Sequence, residues 1–144
     1  MWRMVVVLLV LLAGGASAEP ARDVAKLASD FRVSKGLNPL AISPVLEAAA
    51  EAHARDMAKR GFFSHKGSDG SSVATRAKRK GYRYCLIAEN IAKGQASAAE
   101  VMQSWIGSKG HRDNMLRRKM REIGVAHVKG DIWVMVLGTG MGGC

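Results

Sequence analysis

Three side chains, His65, Glu89 and His111, could do chemistry together if the fold brings them into one cleft. They occur in the stretches "FFSHKG", "AENIAKG" and "SKGHRDN", at the predicted boundaries of elements and close to glycines. Two neutral imidazoles and a carboxylate could bind a divalent metal such as zinc and leave one position open for water. The spacings of 24 and 22 residues are not diagnostic, and the sequence has no HExxH motif. Three unrelated polar loop residues are therefore the alternative reading of the spacing alone.

Other polar residues have simpler interpretations. His53 lies on the apolar stripe of a predicted helix, which favours a packed histidine that donates one hydrogen bond to the core. His127 lies in a predicted strand and is assigned to the surface or to a strand edge. Arg112 and Asp113 are interpreted as a local surface pair, and Asp113 or Asn114 as the cap of a short turn.

The first 18 residues have the pattern of a secretory signal peptide. Arg3 precedes an apolar run from Met4 to Ala13, and the small residues Ala16–Ala18 form a cleavage site, with cleavage expected after Ala18. The apolar run is too short to span a membrane, and no other segment is long enough. We therefore expect a secreted or periplasmic protein whose mature domain is residues 19–144. An uncleaved anchor is the alternative.

The two cysteines of the mature chain, Cys85 and Cys144, bear on the same point. In an oxidising compartment two thiols usually form one bridge, so we expect an intramolecular disulfide. Two free thiols, or an intermolecular bond through Cys144, are the alternatives.

The chain is strongly basic. It has 22 Lys and Arg residues against 12 Asp and Glu, a net charge of +10, and loss of Arg3 leaves +9. Nine of the basic residues fall in two runs, 76–83 and 117–121, with no acidic residue in either run. Such runs are usually a solvated face, but this asymmetry also favours an anionic envelope surface or wall polymer as partner. Export argues against a specific nucleic-acid partner.

Local signals divide the mature chain into helices followed by strands. Helical periodicity covers Val24 to Gly36 and a second helix that Ser43 caps and Gly61 ends. A short helix follows from Val73 to Lys80, and the capping box Ser97–Glu100 opens another. The glycine before His111 predicts a sharp turn at the end of that last helix.

Two stretches change to a strand pattern. "YRYCLIAENIAKG" predicts a strand that runs into a loop, which places Glu89 at the loop. "IGVAHVKGDIWVMVLG" predicts two strands around a hairpin turn at Lys129–Asp131. Helices with a small antiparallel sheet indicate an α+β layered domain.

Several ordered motifs together resemble the short bacterial form of the CAP superfamily, the cysteine-rich secretory, antigen and pathogenesis-related proteins, or SCP domains. They run from "NPLAISPVLEAAAEAHARDMAKRGFFSH" through "AENIAKG" and "SWIGSKGHRDNML" to "REIGVAHV", and the resemblance covers nearly all of the mature chain. It implies an α-β-α sandwich with the small antiparallel sheet between helices.

The resemblance also implies a cleft lined by His65, Glu89 and His111, with Asn90 beside Glu89 in the same motif. His65 and His111 match the two cleft histidines, and Ala88 replaces the glycine usual before the glutamate. Ser108 stands where many members have a second glutamate. Members of the family have been found with a divalent ion between the histidines, and others bind sterols, fatty acids or wall glycans.

Two functions follow as hypotheses. The sequence favours a monomeric, non-enzymatic binding module for a lipid, sterol or wall-glycan ligand, with a cleft able to hold a divalent metal such as zinc that folding does not require. The alternative is a metal-assisted hydrolase, protease-like or glycan-directed, with Glu89 as general base. A secreted structural protein with a vestigial cleft is a third reading. The missing second carboxylate at Ser108, and the lack of a visibly activated serine or cysteine, weigh against the enzyme.

Overall fold

A computed structural model describes residues 19–144, and the predicted signal peptide lies outside these described residues. None of the described helices is both long and apolar enough to cross a membrane. In chain order the elements are α1 (Glu19–Ser34), β1 (Ala41–Ile42), α2 (Pro44–Arg60), α3 (Val73–Arg79), β2 (Tyr84–Lys93), α4 (Ala98–Gly107), α5 (Lys109–Met115), β3 (Glu122–Val128) and β4 (Ile132–Gly140).

The sheet lies between two layers of helices, so both of its faces are buried. Trp133, Met135 and Leu137 of β4 pack toward α1 and α4, whereas Val134 and Val136 pack toward α2 and α3. Successive side chains of a strand point to opposite faces, so a strand buried on both sides is apolar throughout. The predicted α-β-α sandwich is confirmed.

The sheet has the strand order β1-β3-β4-β2. β3 and β4 form the predicted hairpin, and β2 pairs antiparallel with β4. β1 was not predicted, and it pairs parallel with β3 through Ala41 and Ile42, so the sheet is mixed rather than purely antiparallel. Two residues are too few to show a period of two, which is why the pattern missed this strand.

The local helix signals are confirmed by the caps. The Ser43 hydroxyl accepts a hydrogen bond from the Leu46 amide, and Gly61 ends α2 in the left-handed conformation with φ of 68°. The Ser97 hydroxyl likewise accepts from the Glu100 amide at the start of α4. The Gly61 cap fixes where α2 ends, and therefore where the loop that carries His65 begins.

A disulfide joins Cys85 to Cys144, as predicted, across a sequence separation of 59 residues. It ties the start of β2 to the chain that follows β4, next to the pair Tyr84 and Gly140. In the chain-entropy model, a closed loop of this size stabilises the folded state by about 4 kcal/mol.

Arg32 of α1 organises the segment after α5, a role that the sequence did not reveal. Its side chain is fully buried and donates hydrogen bonds to the backbone carbonyls of Asn38, Met115, Arg117 and Met120. The last three of these acceptors hold the end of α5 and the segment after it against α1. They therefore hold the short helix that carries the second cleft histidine.

Candidate functional site

Glu89 lies in the middle of β2, where it pairs with Val136, and not in a loop as predicted. The polar pair Glu89–Asn90 interrupts an apolar run, which made the strand look as if it ended there. β2 is an edge strand, so side chains from both helix layers can reach around its free side. Glu89 contacts the layer of α2 and α3, whereas Asn90 contacts α5 on the other face.

The Glu89 carboxylate is almost completely buried, with 2% of its side chain exposed, and both of its oxygens are engaged. Arg76 Nη2 donates to Oε2 over 2.8 Å, and His65 Nδ1 lies 2.8 Å from Oε1. Arg76 also donates to the backbone carbonyls of His65 and Ser71. The arginine therefore neutralises Glu89 and fixes the loop that carries His65.

These contacts determine the form of the His65 ring. Because the Glu89 carboxylate is paired with Arg76 and can only accept, Nδ1 of His65 carries the proton in the neutral ring. Nε2 then holds the lone pair, and the His65 side chain is 60% exposed. A carboxylate behind a histidine fixes the orientation and tautomer of the ring.

His53 is packed in the core, as predicted, and its ring Nε2 donates to the backbone carbonyl of Ser64 over 2.8 Å. This bond holds the residue directly before His65. Burial lowers the pKa of His53 below its usual value near 6.5, and the Glu89 carboxylate, 3.9 Å away, offsets part of that shift. The ring is therefore a neutral positioning group.

His111 lies inside α5 and not at a sharp turn after a helix, so that prediction is wrong. Gly110 is helical and is not among the glycines with positive φ, so it makes no left-handed turn here. Asn90 Nδ2 donates to the His111 carbonyl over 3.1 Å, which ties α5 to β2. Burial, and next the proximity of His65, lower the pKa of His111.

The ring nitrogens of His111 have no hydrogen-bond partner among the described residues, and Nδ1 is buried. Ser108 caps neither α4 nor α5 with its side chain, although its carbonyl accepts from the Arg112 amide. Asn114 is not the turn cap predicted from the sequence, because it donates to Asn90 Oδ1 over 2.9 Å. The predicted pair of Arg112 and Asp113 is also wrong.

Each partner of that predicted pair binds elsewhere. Arg112 donates to the Ile106 carbonyl, and Asp113 pairs with Lys109 one turn earlier on α5. The neighbours in sequence point apart because side chains one residue apart on a helix do not share a face.

Within residues 19–144, no group of three or more His, Cys, Asp or Glu side chains is placed to hold a metal ion. The Glu89 carboxylate is buried as well as bound by Arg76 and His65, so it is not placed as a third ligand. Of the predicted ligands, the nitrogens left without a protein partner are the exposed Nε2 of His65 and the ring nitrogens of His111. Two imidazoles, one of them backed by a carboxylate, suit a divalent ion that also keeps water ligands.

Arg76 is the functional residue that the sequence interpretation misplaced. It was counted in a basic surface run, but its side chain is 7% exposed and lies against Glu89. No local signal in the sequence distinguishes Arg76 from the other basic residues of its run. Arg76 was expected to be exposed because the other basic residues of its run are exposed.

The chain belongs to the CAP family, the cysteine-rich secretory protein family, whose profile matches residues 26–137. It is 37% identical over 113 residues to the uncharacterised protein YkwD of Bacillus subtilis, covering 78% of this chain and 44% of that protein. It is 26% identical over 104 residues to the membrane protein YlbC of the same organism, covering 72% of this chain and 30% of that protein. The chain thus spans less than half the length of these curated relatives.

Solved structures share the fold. An SCP-domain extracellular protein of Bacillus anthracis superimposes with a TM-score of 0.81 at 24% identity, covering 85% of this chain and 41% of that one. An outer surface protein of Borrelia burgdorferi gives 0.77 at 22% identity, covering 83% of this chain and 91% of that one. At these identities the likeness concerns the fold alone.

The buried pair predicts a strong coupling between Arg76 and Glu89. Arg76→Met should cost about 3–5 kcal/mol of unfolding free energy, because it leaves the Glu89 charge buried without its partner. Glu89→Gln should destabilise the wild-type protein but be nearly neutral, or stabilising, in the Arg76→Met background. Urea denaturation of the four proteins measures this cycle.

Arg79→Met is the matched control on the same helix. Arg79 pairs with Asp69 at the surface, where both side chains are about half exposed, so its loss should cost less than about 1 kcal/mol. An equal effect of Glu89→Gln in both backgrounds would show that Arg76 and Glu89 are not coupled.

Proposed function

We propose that the chain is a non-enzymatic binding module of the cell envelope. One end of the domain binds an anionic surface, and the cleft binds a ligand. The observation that carries this proposal is the engagement of both Glu89 oxygens by Arg76 and His65. A general base needs a free lone pair aimed at the proton that it removes. Glu89 instead orients His65, which favours binding over a hydrolase in which Glu89 is the base.

We also propose that the protein is secreted or periplasmic. The similar Bacillus anthracis protein is described as extracellular, and the Borrelia burgdorferi protein as an outer surface protein. The predicted signal peptide and the disulfide agree with an oxidising compartment. A lipid, sterol or wall glycan remains the proposed ligand class for the cleft.

The two basic runs lie at the same end of the sheet, here called the basic end. The Arg121 amide donates to the Gly138 carbonyl, and the Met141 amide donates to the Arg83 carbonyl, so Arg121 and Arg83 flank the end of β4 from both sides. Two strand spacings separate them, about 10 Å. Its exposed members are Lys78, Arg79, Lys80, Arg83, Arg117, Arg118, Lys119 and Arg121.

A concentrated positive surface binds anionic headgroups or polymers through a field that salt screens. Of the nine basic residues in the two runs, only Arg76 is withdrawn into the core. The basic end therefore supports an anionic envelope surface as the partner.

Binding to vesicles tests the basic end. The mature chain should bind phosphatidylglycerol-containing vesicles, should not bind phosphatidylcholine vesicles, and should dissociate as salt is added. Arg83→Gln/Arg118→Gln/Arg121→Gln should weaken binding about a hundredfold, since each basic residue near an anionic surface contributes about 1 kcal/mol. Co-sedimentation measures the affinity.

The charge-matched control is Lys59→Gln/Lys93→Gln/Lys129→Gln, which removes three exposed charges away from the basic end. Lys93 and Lys129 lie at the hairpin end of the sheet. Equal losses in the two triple variants would mean that net charge alone drives binding, and the basic end would then have no special role.

The pair His65 and His111 is proposed to hold a divalent ion, because Nδ1 of His111 lacks a hydrogen-bond partner among the described residues and the exposed His65 ring keeps a free Nε2. Such an ion would supply a positive site for an anionic or hydroxyl group of the ligand. Zinc calorimetry on the mature chain should show binding that His65→Ala and His111→Ala each weaken about tenfold or more. His127→Ala, a histidine outside the cleft, should leave it unchanged. Heat that persists in the His65→Ala/His111→Ala protein would remove the metal from the proposal.

A further inference from the structure

The second open edge of the sheet belongs to β3. β1 pairs only with Glu122 and Ile123, so β3 has no neighbour on that side beyond Ile123. The Ser43 amide donates to the Ile123 carbonyl, which shows that the odd-numbered residues of β3 direct their backbone groups toward β1. By strand alternation, the N–H and C=O of Val125 and His127 point to the same side. Among the described residues, these groups have no partner there.

This edge forms the floor of a groove of about 1110 Å³, here called the edge groove. Its walls are the first turn of α1, residues 20–22, and the outer face of α2 from Glu47 to Lys59, and β3 with its hairpin turn completes it. An ion pair between Arg22 and Glu47 joins the two walls at the β1 end. The groove is therefore a slot between the two helix layers.

The edge lacks two of the features with which proteins block strand pairing, a proline and a β-bulge. β3 contains no proline, and its register with β4 is unbroken from Glu122 to Val128. The groove between the walls lies directly over the unpaired part of β3. A groove of this kind suits strand addition, in which backbone hydrogen bonds supply affinity and side-chain contacts supply specificity.

The charges of the groove indicate which chain fits. Glu47 and Glu51 on its wall are paired with Arg22 and Arg55, and Asp131 is paired with His127. Lys59 and Lys129 have no acidic partner among the described residues, and both line the groove. Four basic side chains and three acidic ones line the groove, so its surplus charge is positive.

We propose that the edge groove binds an extended, acidic segment of a partner protein, which adds to β3 as a fifth strand. Its backbone pairs with Val125 and His127, and its acidic residues lie near Lys59 and Lys129. This inference does not depend on the cleft or on the basic end, because the groove lies at the opposite edge of the sheet from β2.

Selection from a displayed library of short random peptides, on the immobilised mature chain, tests the proposal. Ala58→Trp fills the groove, because Ala58 is an exposed residue of its wall. Ala52→Trp is the matched control, an exposed alanine of the same helix that does not line the groove. Selected peptides should be acidic and β-branched, and should bind Ala58→Trp about tenfold or more weakly, but Ala52→Trp as tightly as wild type.

Amide hydrogen exchange with a selected synthetic peptide gives the structural readout. The peptide should slow exchange at Val125 and His127, but not at Ala126, whose backbone already faces β4. Three results would each overturn the proposal. The selection yields no peptide enriched over the Ala58→Trp protein, the peptides bind both tryptophan variants equally, or exchange at Val125 and His127 is unchanged.

Discussion

The ion pair between Arg76 and Glu89 is the interaction on which the site depends. It joins α3 to an edge strand, and its two partners also hold the His65 loop, through the ring and the backbone carbonyl of His65. A carboxylate so deeply buried is tolerated only when a charged partner and further hydrogen bonds compensate for its lost hydration. Here His53 lies behind the pair and fixes the residue before His65. Four segments, α2, the His65 loop, α3 and β2, therefore meet at the Glu89 carboxylate. The carboxylate orients His65 and does not act as a general base.

The open edges of the sheet explain where the molecule can bind. At β2, the loop with His65 and the short helix with His111 come around the free side of the strand from opposite layers, and Asn90 and Arg32 hold α5 in place. At β3, the helices stop short of covering the strand and leave a slot. Because helices cover both faces of the sheet, its unpaired backbone groups lie at the two edges. The basic end lies at a third place, where the strands finish.

Features set by neighbouring residues could be predicted from the sequence. The cap at Ser43, the stop at Gly61, the hairpin and the apolar pattern of β4 each depend on a few consecutive side chains. Errors occurred where a distant partner decides the outcome. Glu89 was predicted to lie in a loop because only its partner Arg76 explains a charge buried in a strand. Arg76 was predicted to be solvated because the other basic residues of its run are exposed. The three cleft residues came from the family resemblance, whereas their division of roles comes from contacts.

The protonation of the neutral His65 ring tests the central claim most directly. Nitrogen-15 spectra of the histidine rings, recorded where they are neutral, distinguish the protonated from the unprotonated nitrogen. With the Glu89 carboxylate held by Arg76, His65 must carry its proton on Nδ1. His53 and His127, which use Nε2 to contact the Ser64 carbonyl and Asp131, must show the opposite tautomer in the same spectrum. A His65 ring protonated on Nε2 would contradict the account, because Glu89 would then not be the fixed acceptor behind it.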